Sequence, residues 1–287
     1  MQSKKICFKK STKLLLLAGS SFLTGCAIQS TPPKQNAQKI FEEKCRTKDK
    51  TKIYKKVENV DGILLIKIRP EFTNSESITK NRFLPHAAFI SESGGDEHIT
   101  TFLRNEVSTN SRPVSPDNRG HIVPLIRPKD RREKNDHPGY KYVDYIDPTD
   151  GRHYRYTESI EIIGQMDINA PGVQMGLNLN PNLDLNIYKP ILNKTEVQAP
   201  APRYAVTYDD HVIQEDRSNG ISSSTVKVID TVTNELLAEF TNYRIGVGFD
   251  YKFSAESWLS GRACQTGYSD AHAKTRQFVD QVLIPAK

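Results

Sequence analysis

The sequence predicts an α+β fold, mostly β: an antiparallel sheet built from hairpins, with a C-terminal helix. Three observations carry this. Short apolar or alternating runs recur between turn-forming residues, as strands do. One pair of runs is joined by Asp147-Pro148-Thr149-Asp150-Gly151, where proline presets φ and glycine permits the reversal. Phe278, Val279, Val282 and Leu283 recur at helical spacing ahead of Pro285, with Ser269 or Asp270 placed to cap that helix.

In chain order, the first feature is not part of the fold. Residues 1–25 hold Lys4, Lys5, Lys9, Lys10 and Lys13 and no acidic residue. The apolar run Leu14 to Leu23 follows, shorter than the roughly 20 residues a spanning helix needs. Leu23-Thr24-Gly25-Cys26 then resembles the lipobox of bacterial lipoproteins: aliphatic, small, Gly or Ala, Cys. The resemblance implies cleavage before Cys26, a diacylglycerol on its sulfur and an acylated amine. More than one acyl chain is what makes such anchoring stable. Ala27 stands where an Asp tends to retain Gram-negative lipoproteins in the inner membrane, so the expected location is the outer membrane, on its periplasmic side.

The net charge of +6 is mostly the signal's, since five of the 40 basic residues lie there, leaving 35 against 34 acidic ones. A near-neutral mature chain gives no electrostatic case for nucleic acid. At 37% hydrophobic and 26% charged, it has the composition of a folded domain. The expected organisation is a signal peptide over 1–25, a lipidated Cys26 and flexible tether over 26–44, and one globular domain over 45–287. Pro32 and Pro33 lie in the tether, and a short helix is expected from Gln38 to Cys45. Cys7 leaves with the signal and Cys26 takes lipid. Cys45 and Cys264 remain near opposite ends of the domain in an oxidising compartment, and are expected to form a disulfide.

Within the domain, Gly62 to Ile68 is a buried-type strand stopped by Pro70. Residues 108–139, rich in proline and charge, are expected to be irregular. Tyr140 to Ile146 and Arg152 to Tyr156 form the hairpin named above. From Val173 to Ile187 apolar residues alternate with Gln174, Asn178, Asn180, Asn182, Asp184 and Asn186. This period of two predicts a second hairpin turning at Asn180-Pro181-Asn182, with Leu177, Leu179, Leu183 and Leu185 on one face, either packed on the core or free to dock a partner. Lys194 to Pro202 is expected to be a stiff connector. Ser224 to Asp230 and Leu236 to Phe240 make a further pair, turning near Thr233-Asn234.

Motifs for chemistry are sparse. There is no G-x-S-x-G, H-E-x-x-H, P-loop or C-x-x-C, and no cofactor is expected. The histidines at 86, 98, 121, 137, 153 and 272 stand singly, none at ligand spacing. Tyr208-Asp209-Asp210-His211, with Glu215 and Asp216, brings two carboxylates beside an imidazole. Asp209, Asp210 and His211 can hold a metal or exchange protons, or simply cap and line a turn.

The domain resembles a group of uncharacterised proteobacterial proteins. The resemblance lies in Val57 to Gly62 with Lys67 to Pro70, in Ile146 to Gly151 with Tyr154 to Thr157, in Pro200 to Tyr204 through Asp210, and in Lys227 to Asp230 with Thr233 to Glu235. It spans most of residues 45–287, assigns no chemistry, and is weakest over the Asn/Leu alternation.

Location, missing catalytic motifs and a hairpin suited to strand addition point to a non-enzymatic binding protein with a periplasmic protein partner. An inhibitor or immunity-type protein against an envelope-targeted toxin is the specific form expected. An envelope hydrolase using Asp209 and Asp210, or a structural part of an envelope assembly, are the alternatives. Cys26→Ser should abolish palmitate labelling and leave precursor or soluble protein; undiminished labelling in that variant would refute the anchor.

Overall fold

The computed structural model describes residues 35–47, 50–71, 81–103, 139–249, 257–264 and 274–286. The lipobox, Ser269, Asp270, His121, His137, His272 and nearly all of 108–139 lie outside them. The fold is mixed α+β and mostly β, as expected, and has a helix near its C-terminus.

Eleven strands are described: β1 (Thr51–Ile53), β2 (Val57–Val60), β3 (Gly62–Leu65), β4 (Tyr142–Ile146), β5 (His153–Gln165), β6 (Asn186–Glu196), β7 (Tyr204–His211), β8 (Ile221–Asp230), β9 (Glu235–Ile245), β10 (Arg262–Ala263) and β11 (Leu283–Pro285). The helices are α1 (Gln35–Arg46), α2 (Gly95–Leu103), α3 (Pro171–Leu179), α4 (Gln214–Ser218) and α5 (Lys274–Asp280), with a 3₁₀ helix over Pro85–Phe89. The large sheet has the order β1-β9-β8-β7-β3-β4-β5-β6, and β10 joins β9. Its outer pairings are antiparallel. Its centre is not: β3 runs parallel to both β4 and β7.

Strand periodicity divides the sheet into two faces. Ile63, Leu65, Val143, Tyr156, Val206, Val226, Val228 and Ala238 line one, beneath Ala88 and Phe89 of the 3₁₀ helix, Ile99 and Phe102 of α2, and Phe278 and Val279 of α5. On the other face α1 lays Ala37, Ile40 and Phe41 against Ile221, Ile245 and Tyr243. Those three helix positions follow the 3–4 spacing of an amphipathic helix, and Lys44 and Arg46 stand where the helix dipole favours cations. The helix begins at Gln35, within the stretch expected to be tether.

The disulfide joins Cys45 at the end of α1 to Cys264 beside β10, with Cα atoms 5.2 Å apart. The hairpin turn between β4 and β5 is also as expected. Thr149 donates from N and Oγ1 to Asp147 Oδ1, and Gly151 has φ +72°. Between β8 and β9 the turn places Asn234 at φ +57°, a conformation asparagine tolerates better than most residues.

Two expectations are corrected. Residues 173–187 do not form a hairpin: Pro171–Leu179 is helical and the chain returns through a turn into β6. Pro171 sits at the first helical positions, where its missing N–H costs nothing. A period of two also contains i,i+4 pairs, and the helix uses those. Val173 and Leu177 turn inward, whereas Met175 and Leu179 turn out, Leu179 being 83% exposed. Leu179 is therefore not a packed position. Gly176 sits against Leu183, where an added Cβ would lie 2.9 Å from Leu183 Cδ2. The second correction is at the C-terminus. The helix stops at Asp280, and Leu283–Pro285 forms β11, parallel to β2. Buried Leu283 and Val282 follow the spacing of the helix, but Val57 N–H donates to Val282 O and Tyr140 Oη to Leu283 O, drawing these residues into a ladder.

The disulfide closes a span of 219 residues, for which chain entropy gives about 5 kcal/mol as an upper figure. Cys45→Ala should lower stability by about 2–5 kcal/mol, read as a shift in urea midpoint that reductant reproduces in the wild type. An unmoved midpoint would show the bond to be energetically idle.

Candidate functional site

β7 places Asp209 and His211 on one face of the sheet and Asp210 on the other. Asp209 accepts from Lys227 Nζ at 2.7 Å and from Lys67 Nζ at 3.4 Å. Those lysines, Lys227 first, hold its carboxyl below the usual carboxylate range. His211 Nε2 lies 2.9 Å from Thr225 Oγ1. Asp210 faces Arg69 instead, at 4.0 Å from NH1. The three sequence-predicted ligands do not converge. Asp216 is turned to Lys44 at 3.1 Å, and Glu215 is exposed on α4. Among the described residues no group of three or more His, Cys, Asp or Glu is placed to hold a metal ion.

Separating Asp210 from its neighbours brings it into a buried polar seam that sequence reasoning missed. Arg69 follows β3 and is 3% exposed, its guanidinium held between the rings of Phe89 and Tyr208 at 4.0 and 4.2 Å. Glu92 Oε2 lies 3.3 Å from Arg69 Nε, and the Glu92 carboxylate accepts from Thr275 N and Oγ1. Burial raises the Glu92 pKa, against the pull of Arg69 and Thr275. Arg217, from α4, is fully buried and donates through NH2 to Pro85 O and His211 O. His86 on the 3₁₀ helix is half-buried, and burial lowers its pKa; Asp210 opposes that shift, while Arg69 and Arg217 add to it. Ser224 lies directly across from Asp210, and Asn242 across from Ser224. The seam draws on residues from seven separate stretches of chain. Its one local signal is Arg69 closing the apolar run that begins at Ile63.

A second feature is an arm. β5 pairs with β4 only from His153 to Tyr156, yet its pairing with β6 continues to Gln165. The distal half is thus a two-stranded ribbon tipped by α3. On one face Leu192, Ile160, Pro190 and Ile162 continue outward from buried Tyr156, with Lys194 and Glu158 on the same face near its root; Ile160 is 61% and Ile162 60% exposed. Glu161, Lys189, Ser159 and Asn193 occupy the opposite face. β6 is one edge of the sheet among the described residues, and its phase bears on strand addition. Val197 N–H donates to His153 O, so the ladder's bonded pairs fall at 155/195, 157/193 and 159/191. Pro190 then stands where its missing N–H faces the open side, which blunts the edge. The arm offers a face rather than an edge.

A cleft of about 570 Å³ lies beside the disulfide, far in sequence from the seam. Its Arg46 and Arg262 both pair with Glu42. Of the remaining histidines, His153 Nε2 lies 2.8 Å from Asp144, which Arg155 also grips through two bonds. His98 is packed edge-on against Phe102.

No protein-family model, curated protein or solved structure matches the chain.

Burial, reinforced by Arg69, depresses the His98 pKa to about 3 from 6.5. The unfolded chain therefore takes up a proton below about pH 6.5 that the folded one refuses. The stability this neutral histidine permits is intact above about pH 6.5 and is lost as pH falls towards about 3. Against wild type, His98→Gln should flatten the acid side of the stability curve by up to about 1.4 kcal/mol per pH unit, one proton's worth. Equal slopes in urea titrations from pH 6.5 to 4 would contradict this.

Proposed function

We propose that the chain is a lipoprotein, anchored in the outer membrane through Cys26, that works as a non-enzymatic periplasmic binding protein and grips a protein partner with the β5–β6–α3 arm. The arm carries this reading. A two-stranded ribbon is marginal in water, and among the described residues the main core cluster reaches β5 and β6 only through Tyr154, Tyr156 and Leu192, near the root of the arm. Ile160, Ile162, Ile163, Ile168, Met175 and Leu179 are nevertheless all exposed on it. From residue 162 to residue 183 the only charged side chain is Asp167. Charge depletion with exposed isoleucine and methionine is the composition of a protein-interface core. An inhibitor or immunity-type role against an envelope-targeted toxin is the specific form proposed. The blunted β6 edge favours docking on the apolar face over strand addition. The divergence of Asp209, Asp210 and His211 speaks against a hydrolase built on them.

Ile162→Glu and Leu179→Asp test the reading. Both positions are solvent-facing, so thermal unfolding should stay within about 1–2 °C of wild type. Capture of the partner from detergent-solubilised envelopes by the tagged protein should fall at least about tenfold, the effect of losing an interface anchor. Undiminished capture by both variants would place the binding surface elsewhere.

A further inference from the structure

We propose that the buried polar seam is a binding site for a small oxyanion that also carries a hydroxyl: hydrogen phosphate or a 2-hydroxycarboxylate. The topology gives the first argument. β3 and β7 are adjacent and parallel. The chain leaves β3 towards β4 on one side, through the 3₁₀ helix and α2, and leaves β7 towards β8 on the other, through α4. Connections that depart in opposite directions open a crevice at the carboxyl ends of two parallel strands, the place where open sheets bind ligands. Arg69 follows β3, Asp210 lies at the end of β7, and Arg217 comes from the helix after it.

Unmet hydrogen-bonding capacity is the second, independent argument. Arg69 Nε, NH1 and NH2 and Arg217 Nε and NH1 are buried without a hydrogen bond among the described residues. So are Asp210 Oδ1 and Ser224 Oγ, which face each other across β7 and β8. Arg69 is 3% and Arg217 0% exposed, so bulk solvent does not serve these groups. Leaving such donors unpaired costs folding free energy, because their desolvation is not recovered. One ligand with two oxygens accepts from several of them at once.

Side-chain chemistry narrows the ligand. The planar guanidinium fork matches carboxylate and phosphate oxygens. The faces of Arg69 are covered by Phe89 and Tyr208, and Glu92 and Asp210 approach its Nε and NH1 at 3.3 and 4.0 Å, which leaves NH2 for a planar or tetrahedral oxyanion. Asp210 would repel a bare anion. Its Oδ1, which makes no hydrogen bond among the described residues and lies 4.0 Å from Arg69 NH1, instead accepts from a ligand hydroxyl, and Ser224 Oγ donates to an oxygen. The seam thus selects an oxyanion bearing its own proton donor.

Calorimetric titration of the purified protein in chloride buffer with four probes tests this: inorganic phosphate, sulfate, glycolate and acetate. Saturable binding is expected for phosphate, for glycolate or for both, at least about tenfold tighter than for the matched probe lacking a hydroxyl, as a buried polar group left unpaired implies. Which of the two binds identifies the source of the oxyanion. Ser224→Ala should weaken binding several-fold with thermal unfolding preserved, and Arg69→Gln should abolish it. If Arg69→Gln does not fold, the probe comparison on wild type and Ser224→Ala still decides. Absence of saturable binding for phosphate and glycolate overturns the proposal. So does sulfate binding as tightly as phosphate together with acetate binding as tightly as glycolate, or unchanged affinity in Ser224→Ala.

Discussion

Four residues, Gly62 to Leu65, join the two halves of the sheet, and everything else hangs on their burial. β3 is the only strand that touches both β7 and β4 among the described residues, and none of its side chains reaches solvent. A parallel strand with both neighbours parallel must be covered on both faces, because crossover connections place chain there. The 3₁₀ helix and α2 supply that cover on one face. Gly62 has its own reason to lack a side chain. The ring of Tyr142 lies where its Cβ would be. Buried Ile63 and Leu65 contribute about 1.5–3 kcal/mol each, so this short strand carries a large share of the stability of a domain that, like most, is marginal overall.

That cover has a consequence for charge. Bringing the 3₁₀ helix down onto β7, β8 and β9 encloses Arg69, Asp210, Ser224 and Asn242 between layers. Asn242 Nδ2 donates to Ala88 O and fixes the helix in place. Glu92 is satisfied by Thr275, and the ring sandwich offsets part of Arg69's desolvation. Arg69 NH2 and Arg217 Nε and NH1 are left without a hydrogen bond among the described residues. A fold selected only for stability would fill this layer with apolar side chains, since buried ion pairs rarely outperform them. The seam and the arm are both departures from that rule. One hides polar groups and the other exposes apolar ones, and each is a place where a further molecule would restore the balance.

The two features are also mechanically separate. The arm is joined to the sheet through the β4 pairing at residues 153–156, whereas the seam lies where β3 and β7 end. Asp144, fully buried beneath Arg155 and His153, stiffens the root of the arm with three charge-assisted contacts. The proposed ligand in the seam and the proposed partner on the arm would therefore act on different strands of one sheet.

Local chemistry decided much of the structure. Asp147 to Gly151 turns the chain whatever surrounds it, because Asp147 and Asp150 bond their own following residues and glycine accepts positive φ. The pairing of β8 with β9, the burial of β3 and the pairing of Cys45 with Cys264 were likewise legible, since each follows from alternation, apolar runs or a process of exclusion among four cysteines. What failed was a pattern open to two readings. Val173, Met175, Leu177 and Leu179 fit a strand by period and a helix by i,i+4 pairs, and only the burial of Val173 and half-burial of Leu177 on one side of the helix chose between them. Leu283 met the same fate, taken from a helix by β2. The parallel centre of the sheet and the seam were beyond local reading altogether. Sequence determined which segments become strands and where they turn, because those preferences act between residues a few positions apart. Tertiary structure decided that Asp210 parts from Asp209 to meet Arg69, Arg217 and Ser224, because a strand's alternation separates neighbours and only the order of strands in the sheet says what each face will find.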